Sequence, residues 1–220
     1  MNEGGAATGC ALCGAKARLK RSHIIPRFVY RSLQAPDGPT RSLLCGECED
    51  RFSEYESTFA RVVFHPLVAN PGVVAKYDKW LLQFAASVCW RVLEEHQAAS
   101  APGPAGERRT AELPSCRETW RQFLLGKRPD VGEHPIHLLR ADRGASESTV
   151  EMTVAENDGE SFVYARLGPV ILLGLITDPD RGQWQGTRIS LEGKLKPRET
   201  LVPASYRDYL LVRAGHPAKA

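Results

Sequence analysis

Two Cys-x-x-Cys pairs near the start of the chain constrain its fold more than any other feature. Cys10 and Cys13 form the first pair, and Cys45 and Cys48 form the second. Two residues between the cysteines let both sulfurs of a pair reach one ion, so the two pairs can close a tetrahedral thiolate site for Zn²⁺. Because four thiolates fill the coordination shell, the pattern predicts a structural zinc rather than a catalytic one.

The segment between the pairs is long for a zinc ribbon and predicts a folded insert. It holds 31 residues, against about 15–20 in a ribbon. Residues 22–30 predict a strand, 36–39 a turn and 41–44 a second strand, and a helix should begin at Cys45. The order of knuckle, hairpin and helix is that of a treble clef.

The remainder of the chain predicts an α+β fold with a helical middle and a C-terminal part of mostly antiparallel strands. Helices are expected at 73–96, around Trp120 up to Gly126, and at 206–212. Strands are expected at 148–155, 161–166, 169–177 and 187–191. These patterns divide the chain into a disordered N-terminus (1–9), a zinc domain (10–66), a helical region (67–126) with a Pro/Gly linker (98–106), and a β-rich domain with a terminal helix (134–220).

Composition excludes several classes of protein. Of the 220 residues, 42% are hydrophobic and 25% are charged, which is ordinary for a globular chain. The longest apolar run, residues 169–176, is too short to span a bilayer, so no membrane partner is expected. With six cysteines and no secretory signal, we expect a protein of the reducing cytoplasm. Cys89 and Cys116 stand apart from the pairs and should be buried thiols rather than ligands.

Charge is distributed unevenly around the cysteine pairs, although the net charge of the whole chain is only +3. Residues 16–31 carry six basic side chains and no acid, whereas residues 47–56 carry five acids and one arginine. A basic hairpin beside an acidic helix is typical of proteins that hold phosphates with bases and a divalent ion with acids. A solvated basic loop next to an acidic helix start is the alternative interpretation. The candidate nucleic-acid-binding residues are Lys16, Arg18, Lys20, Arg21, Arg27 and Arg31.

The zinc segment resembles the HNH endonuclease superfamily. The resemblance rests on two motifs, Ser-His-Ile-Ile-Pro at residues 22–26 and Leu-Leu-Cys-x-x-Cys-Glu-x-x-Phe-Ser-x-x-Glu at residues 43–56. They are most similar to a bacterial group of HNH-like proteins, and the match covers residues 10 to about 60. The later pairs Trp90-Arg91 and Trp120-Arg121 are similar to that group with less specificity.

The resemblance implies a metal-dependent endonuclease that cleaves DNA, with a possible role in phage defence. His23 holds the position of the family's general base, and Glu49 holds the position of its last metal ligand. Glu49 and Glu56 share one helical face, so with His23 they are candidates to surround a catalytic Mg²⁺ or Mn²⁺. The chain departs from the family at three points. Ser22 stands where an acid or histidine is usual, residues 24–44 contain no asparagine, and Glu49 stands where histidine or asparagine is common.

Two other functions stay open at this point. The departures from the family favour a zinc-stabilised nucleic-acid-binding module without catalysis. The large C-terminal strand region, which carries no catalytic pattern, favours a protein-interaction adaptor. Loss of cleavage in a His23→Ala variant would separate the nuclease from both alternatives.

Overall fold

The structure is a computed structural model that describes residues 9–70, 72–99, 112–141, 149–157, 160–177, 186–195 and 201–202. Helices and mostly antiparallel sheets make up an α+β fold, as predicted. The N-terminal elements are β1 (Leu19–His23), α1 (Arg27–Leu33), β2 (Thr40–Cys45) and α2 (Gly46–Phe59). A π-helical segment (Ala60–Phe64), α3 (His65–Ala69), β3 (Ala75–Tyr77), α4 (Lys79–Ala99) and α5 (Glu112–Leu124) follow. The C-terminal strands are β4 (Ile136–Ala141), β5 (Val150–Asn157), β6 (Glu160–Leu167), β7 (Val170–Leu175), β8 (Gly193–Leu195) and β9 (Leu201–Val202).

The hairpin and helix of the zinc segment form as predicted, with one correction. β1 and β2 pair antiparallel, and α2 follows β2 directly. The prediction of a strand through residues 22–30 is wrong beyond His23, because Pro26 has no N–H for a strand ladder and instead precedes α1. The apolar side chains that suggested a strand lie on the inner face of this short helix, where Val29 and Tyr30 are buried.

The helical middle begins later than predicted. Residues 75–77 form β3 and pair with β8, and α4 starts only after Asp78. The Asp78 carboxylate accepts a hydrogen bond from the backbone N–H of Trp80 at 3.1 Å, which is the contact of a helix N-cap. The prediction of a strand at 187–191 is also wrong in position. In that range Arg188 forms a single β-bridge to His137, and the strand itself is β8, a few residues later.

The C-terminal sheet has the strand order β5-β6-β7-β4-β9, antiparallel except for β4 with β9. α4 packs on one of its faces, α5 packs on α4, and Trp120 of α5 lies close to Gly174 of β7. α5 ends at Leu124, close to the predicted stop at Gly126, which adopts a left-handed φ of 74°. The opposite face buries a second apolar cluster that includes Tyr164, Ile171 and Leu173.

One cluster of buried side chains runs through the described residues from Cys10 to Leu195. The zinc segment, the helices and the sheet therefore share a core across the boundaries drawn at 66 and 126. Residues 1–8 of the predicted disordered N-terminus (1–9), residues 100–106 of the predicted linker and the predicted helix at 206–212 lie outside the described residues. The linker prediction is wrong at residues 98 and 99, which belong to α4. Within the described part, the helices are all too short or too polar to cross a membrane.

Candidate metal centre and nucleic-acid interface

Four sulfurs come together where the knuckle meets the start of α2. The Sγ atoms of Cys10, Cys13, Cys45 and Cys48 all lie within 4.8 Å of one another, and the Cys13–Cys45 pair is 3.7 Å apart. A tetrahedral zinc with Zn–S bonds of about 2.3 Å sets its sulfurs about 3.8 Å apart, so the donor set fits Zn²⁺. Among the described residues, this is the one group of three or more His, Cys, Asp and Glu side chains close enough to share an ion.

The backbone of the knuckle is shaped by two glycines that flank the first pair. Gly14 has a left-handed φ of 79°, and its N–H donates to the carbonyl oxygen of Cys10 at 2.7 Å. A Cβ on Gly9 would lie 2.7 Å from the carbonyl oxygen of Gly14. The turn is joined to β2 by a 3.0 Å hydrogen bond from Ala11 N–H to the carbonyl oxygen of Leu43. This bond holds the first pair beside the second.

The thiols of the cluster ionise unequally. Burial opposes ionisation of Cys10, but backbone N–H groups of Cys13 and Cys45 lower the pKa of its thiol to about 7. Burial and the neighbouring thiols of Cys45 and Cys13 raise the pKa of Cys48. Four like charges at this spacing repel one another, so the fully ionised cluster needs a cation at its centre. A divalent metal bound there would supply that charge.

Two arginines that sequence reasoning did not assign join the zinc segment to α5. Arg121 Nη1 donates to the carbonyl oxygen of Leu12 at 2.5 Å, inside the knuckle. Arg51 Nη1, from α2, donates to the carbonyl oxygen of Leu124 at 3.1 Å, at the end of α5. The Trp120-Arg121 pair was visible in the sequence only as part of the family resemblance.

His23 lies at the end of β1 and is half-buried. Its ring centroid is 6.4 Å from that of Tyr30 on α1. Burial lowers the pKa of the imidazole; Arg27 and Arg21 act in the same direction, while Asp37 and Glu56 oppose it. The imidazole is therefore neutral near pH 7 and able to accept a proton.

Glu49 contacts the residue directly before His23. Ser22, which is fully buried, donates its hydroxyl hydrogen to Glu49 Oε2 at 2.7 Å. The strand position before the candidate base and the first turn of α2 are thus neighbours in space. Glu49 remains partly exposed, so its carboxylate keeps access to solvent.

Glu56 is held by an arginine of α4. Arg91 Nη2 donates to Glu56 Oε1 at 2.7 Å, and the Arg91 side chain is only 2% exposed. The ligand atoms of His23, Glu49 and Glu56 do not all approach within 4.8 Å of one another. The structure brings Glu49 to Ser22 and Glu56 to Arg91, and it does not gather the three candidate groups around one point.

The candidate nucleic-acid-binding residues all lie on the surface. Lys16, Arg18, Lys20, Arg21, Arg27 and Arg31 are exposed. Arg21 Nε donates to Thr40 Oγ1 at 2.7 Å, and Arg27 lies 3.9 Å from Asp37 in an exposed ion pair. Arg27 and Arg31 are one helical turn apart on α1, an element that sequence reasoning had taken for a strand.

The other two cysteines are buried, as predicted. Cys89 and Cys116 are inaccessible to solvent and lie outside the four-cysteine cluster. Burial raises the pKa of both thiols. They act as small apolar side chains of the core.

Comparison of the chain with protein-family models, with curated proteins and with solved structures found no match.

Proposed function

We propose that this chain is an HNH-like, metal-dependent nuclease that cleaves DNA phosphodiester bonds. The observation that carries the proposal is the contact between Ser22 and Glu49, beside His23. It joins the two positions that hold the divalent ion in the family that the zinc segment resembles. Exposed basic side chains on the same hairpin and on α1 supply the charge that attracts phosphates.

His23 is the general base of the proposed reaction. A neutral imidazole takes a proton from water as the water attacks phosphorus, and burial keeps the His23 imidazole neutral at working pH. Glu49 is the ligand for Mg²⁺ or Mn²⁺, because carboxylate oxygens suit hard cations. The bound ion would stabilise the charge that develops on the leaving oxygen. The zinc cluster keeps the hairpin in place and takes no part in the chemistry.

A second candidate function is a nucleic-acid-binding module that does not cut. Glu56 is paired with Arg91, and a serine occupies the position before His23. With Glu56 paired to Arg91, Glu49 is the one carboxylate left of the two candidate ligands, which is a sparse ligand set for a catalytic ion. The exposed bases would still hold phosphates in this case, and binding would weaken as salt rises.

The proposal includes the cellular compartment, the biological role and a protein partner. All six cysteines are free in the structure, which fits a reducing compartment such as the cytoplasm. A bacterial defence role against phage or mobile elements follows from the family resemblance alone. The targeting partner, if the nuclease needs one, would be a second protein.

A matched pair of substitutions separates the two functions. Glu49→Gln removes the charge of the proposed ligand while its amide oxygen still accepts from Ser22, and Glu47→Gln removes an exposed charge from the same helical turn. The nuclease predicts that Glu49→Gln lowers Mn²⁺-dependent plasmid nicking by on the order of a hundredfold and that Glu47→Gln leaves it unchanged. Salt-dependent DNA binding by the wild type without nicking in any metal would favour the non-cutting module.

A further inference from the structure

Arg91 differs from the other charged residues of α4. Its guanidinium is almost completely buried, whereas Glu94 and Glu95 pair with Arg117 and Arg41 nearer the surface. A buried guanidinium is costly unless its donors are satisfied. The contacts of Arg91 therefore indicate why this charge is placed in the core.

Three donors of Arg91 reach three separate segments. Nε donates to the carbonyl oxygen of Ser87 on α4 itself at 3.1 Å. Nη2 donates to Glu56 on α2 at 2.7 Å, and Nη1 donates to the carbonyl oxygen of His23 at 2.9 Å. The guanidinium carbon also lies 5.3 Å from the centroid of the Phe52 ring, over the face of α2 that packs on α4. The planar fork of an arginine suits such a three-way junction, which a lysine cannot reproduce.

The hydrogen bond from Arg91 to the His23 carbonyl oxygen lies at the end of β1, where pairing with β2 stops. The β1–β2 pairing ends at His23, opposite Thr40, and the chain then turns toward α1. The carbonyl oxygen of His23 is held from α4, and the next residue is held by a 3.1 Å hydrogen bond from Ile24 N–H to the carbonyl oxygen of Pro39. The backbone from which the imidazole projects is thereby fixed on both sides.

We infer that Arg91 is a positioning residue for His23, holding the backbone of the candidate base against α2 and α4. This inference rests on the proposed role of His23. Arg91 lies behind the base and is shielded from solvent, so it does not itself meet substrate. It also gives Glu56 a role other than metal ligation, because the carboxylate balances the buried guanidinium. The geometry of the site then depends on α4, the helix on which the C-terminal sheet packs.

The test replaces the ion pair by apolar side chains. Arg91→Met with Glu56→Leu leaves neither charge unpaired in the core, which protects the fold, and it removes the donor to His23. Arg117→Met with Glu94→Leu is the matched control, since it removes an ion pair of the same helix that lies away from β1. Zinc content and circular dichroism check that both proteins fold. Arg91→Lys is measured as well, because it keeps the Glu56 charge, which itself acts on the pKa of His23.

Two readouts are measured on each folded protein. The first is the NMR signal of the His23 ring, assigned as the one absent from His23→Ala, and the second is plasmid nicking beside DNA affinity. We expect a shifted or broadened His23 signal and a nicking rate lower by on the order of tenfold to a hundredfold, with DNA affinity within about twofold. The control should match the wild type in both readouts.

A folded, zinc-loaded Arg91 variant with an unchanged His23 signal and an unchanged nicking rate would overturn the inference. If the wild type itself does not nick DNA, the proposed nuclease function fails. The His23 signal of Arg91→Lys, in which the Glu56 charge is kept, then decides whether Arg91 positions the imidazole, so the two failures are distinguishable.

Discussion

At the scale of single residues, each zinc-site thiol contributes in a way that a buried core thiol does not. Cys10, Cys13, Cys45 and Cys48 meet at one point, so an ion bound there would couple folding of the knuckle to metal binding. Cys116 is fully buried among apolar side chains and has no such coupling. The two kinds of cysteine should therefore respond differently to substitution.

Cys45→Ser should abolish zinc binding and destabilise the chain, because three thiolates and a hydroxyl hold Zn²⁺ far more weakly than four thiolates. We expect about one zinc per chain in the wild type, measured by plasma emission spectroscopy after gel filtration. Cys116→Ala is the control and should keep the zinc. A Cys45→Ser protein that folds normally without metal would contradict the structural role of the site.

Spacing alone was enough to predict the four-cysteine cluster, because the two cysteines of each pair are constrained by their own short segment. The partners of Ser22, Arg91 and Arg121 lie 27, 68 and 109 residues away in the chain. No local pattern encodes such contacts, which arise only when the helices pack. For this reason Glu56 was predicted as a metal ligand, while Arg91, which holds it, was not assigned a role.

At the scale of elements, long periodic segments were predictable and short ones were not. The main part of α4 and the strands β5 to β7 carry enough apolar residues to reveal their period. α1 has seven residues and β3 has three. Both were misassigned, because one or two buried side chains fit the spacing of a helix and of a strand equally well. Tertiary pairing decides such cases: β3 exists because β8 lies beside it.

The contact between α5 and β7 gives a prediction about packing. A Cβ on Gly174 would lie 2.5 Å from Trp120 Cη2 and 3.1 Å from Cys89 Sγ, and both of these side chains are fully buried. Gly174→Ala should therefore lower the free energy of unfolding by about 1–3 kcal/mol. Urea titration of zinc-loaded protein measures it.

Gly46→Ala is the control for this packing test. A Cβ there meets Lys20 Cε at 3.9 Å, an ordinary contact. Its stability should stay within about 0.5 kcal/mol of the wild type. If the Gly174→Ala protein is as stable as the wild type, α5 and β7 are less closely packed than described.

At the scale of the whole molecule, the zinc segment is part of a larger core and does not stand alone. α4 packs on α2 on one side and on the sheet on the other, and Arg91 and Arg121 reach from the helices into the zinc segment. The sheet, which has no catalytic pattern, therefore acts as the support for the surface that carries His23 and the exposed bases. We therefore expect activity to require the helices and the sheet together with the zinc segment.

Plasmid nicking by the full, zinc-loaded chain tests the central claim most directly. Wild type, His23→Ala and His65→Ala are compared in Mg²⁺, Mn²⁺ and EDTA; His65 is exposed and has no assigned role. We predict metal-dependent nicking that His23→Ala lowers by on the order of a hundredfold or more and that His65→Ala preserves, with DNA binding equal in all three proteins. Equal nicking by wild type and His23→Ala, or no nicking by folded wild type in either metal, would contradict the assignment of His23 as the general base of a nuclease.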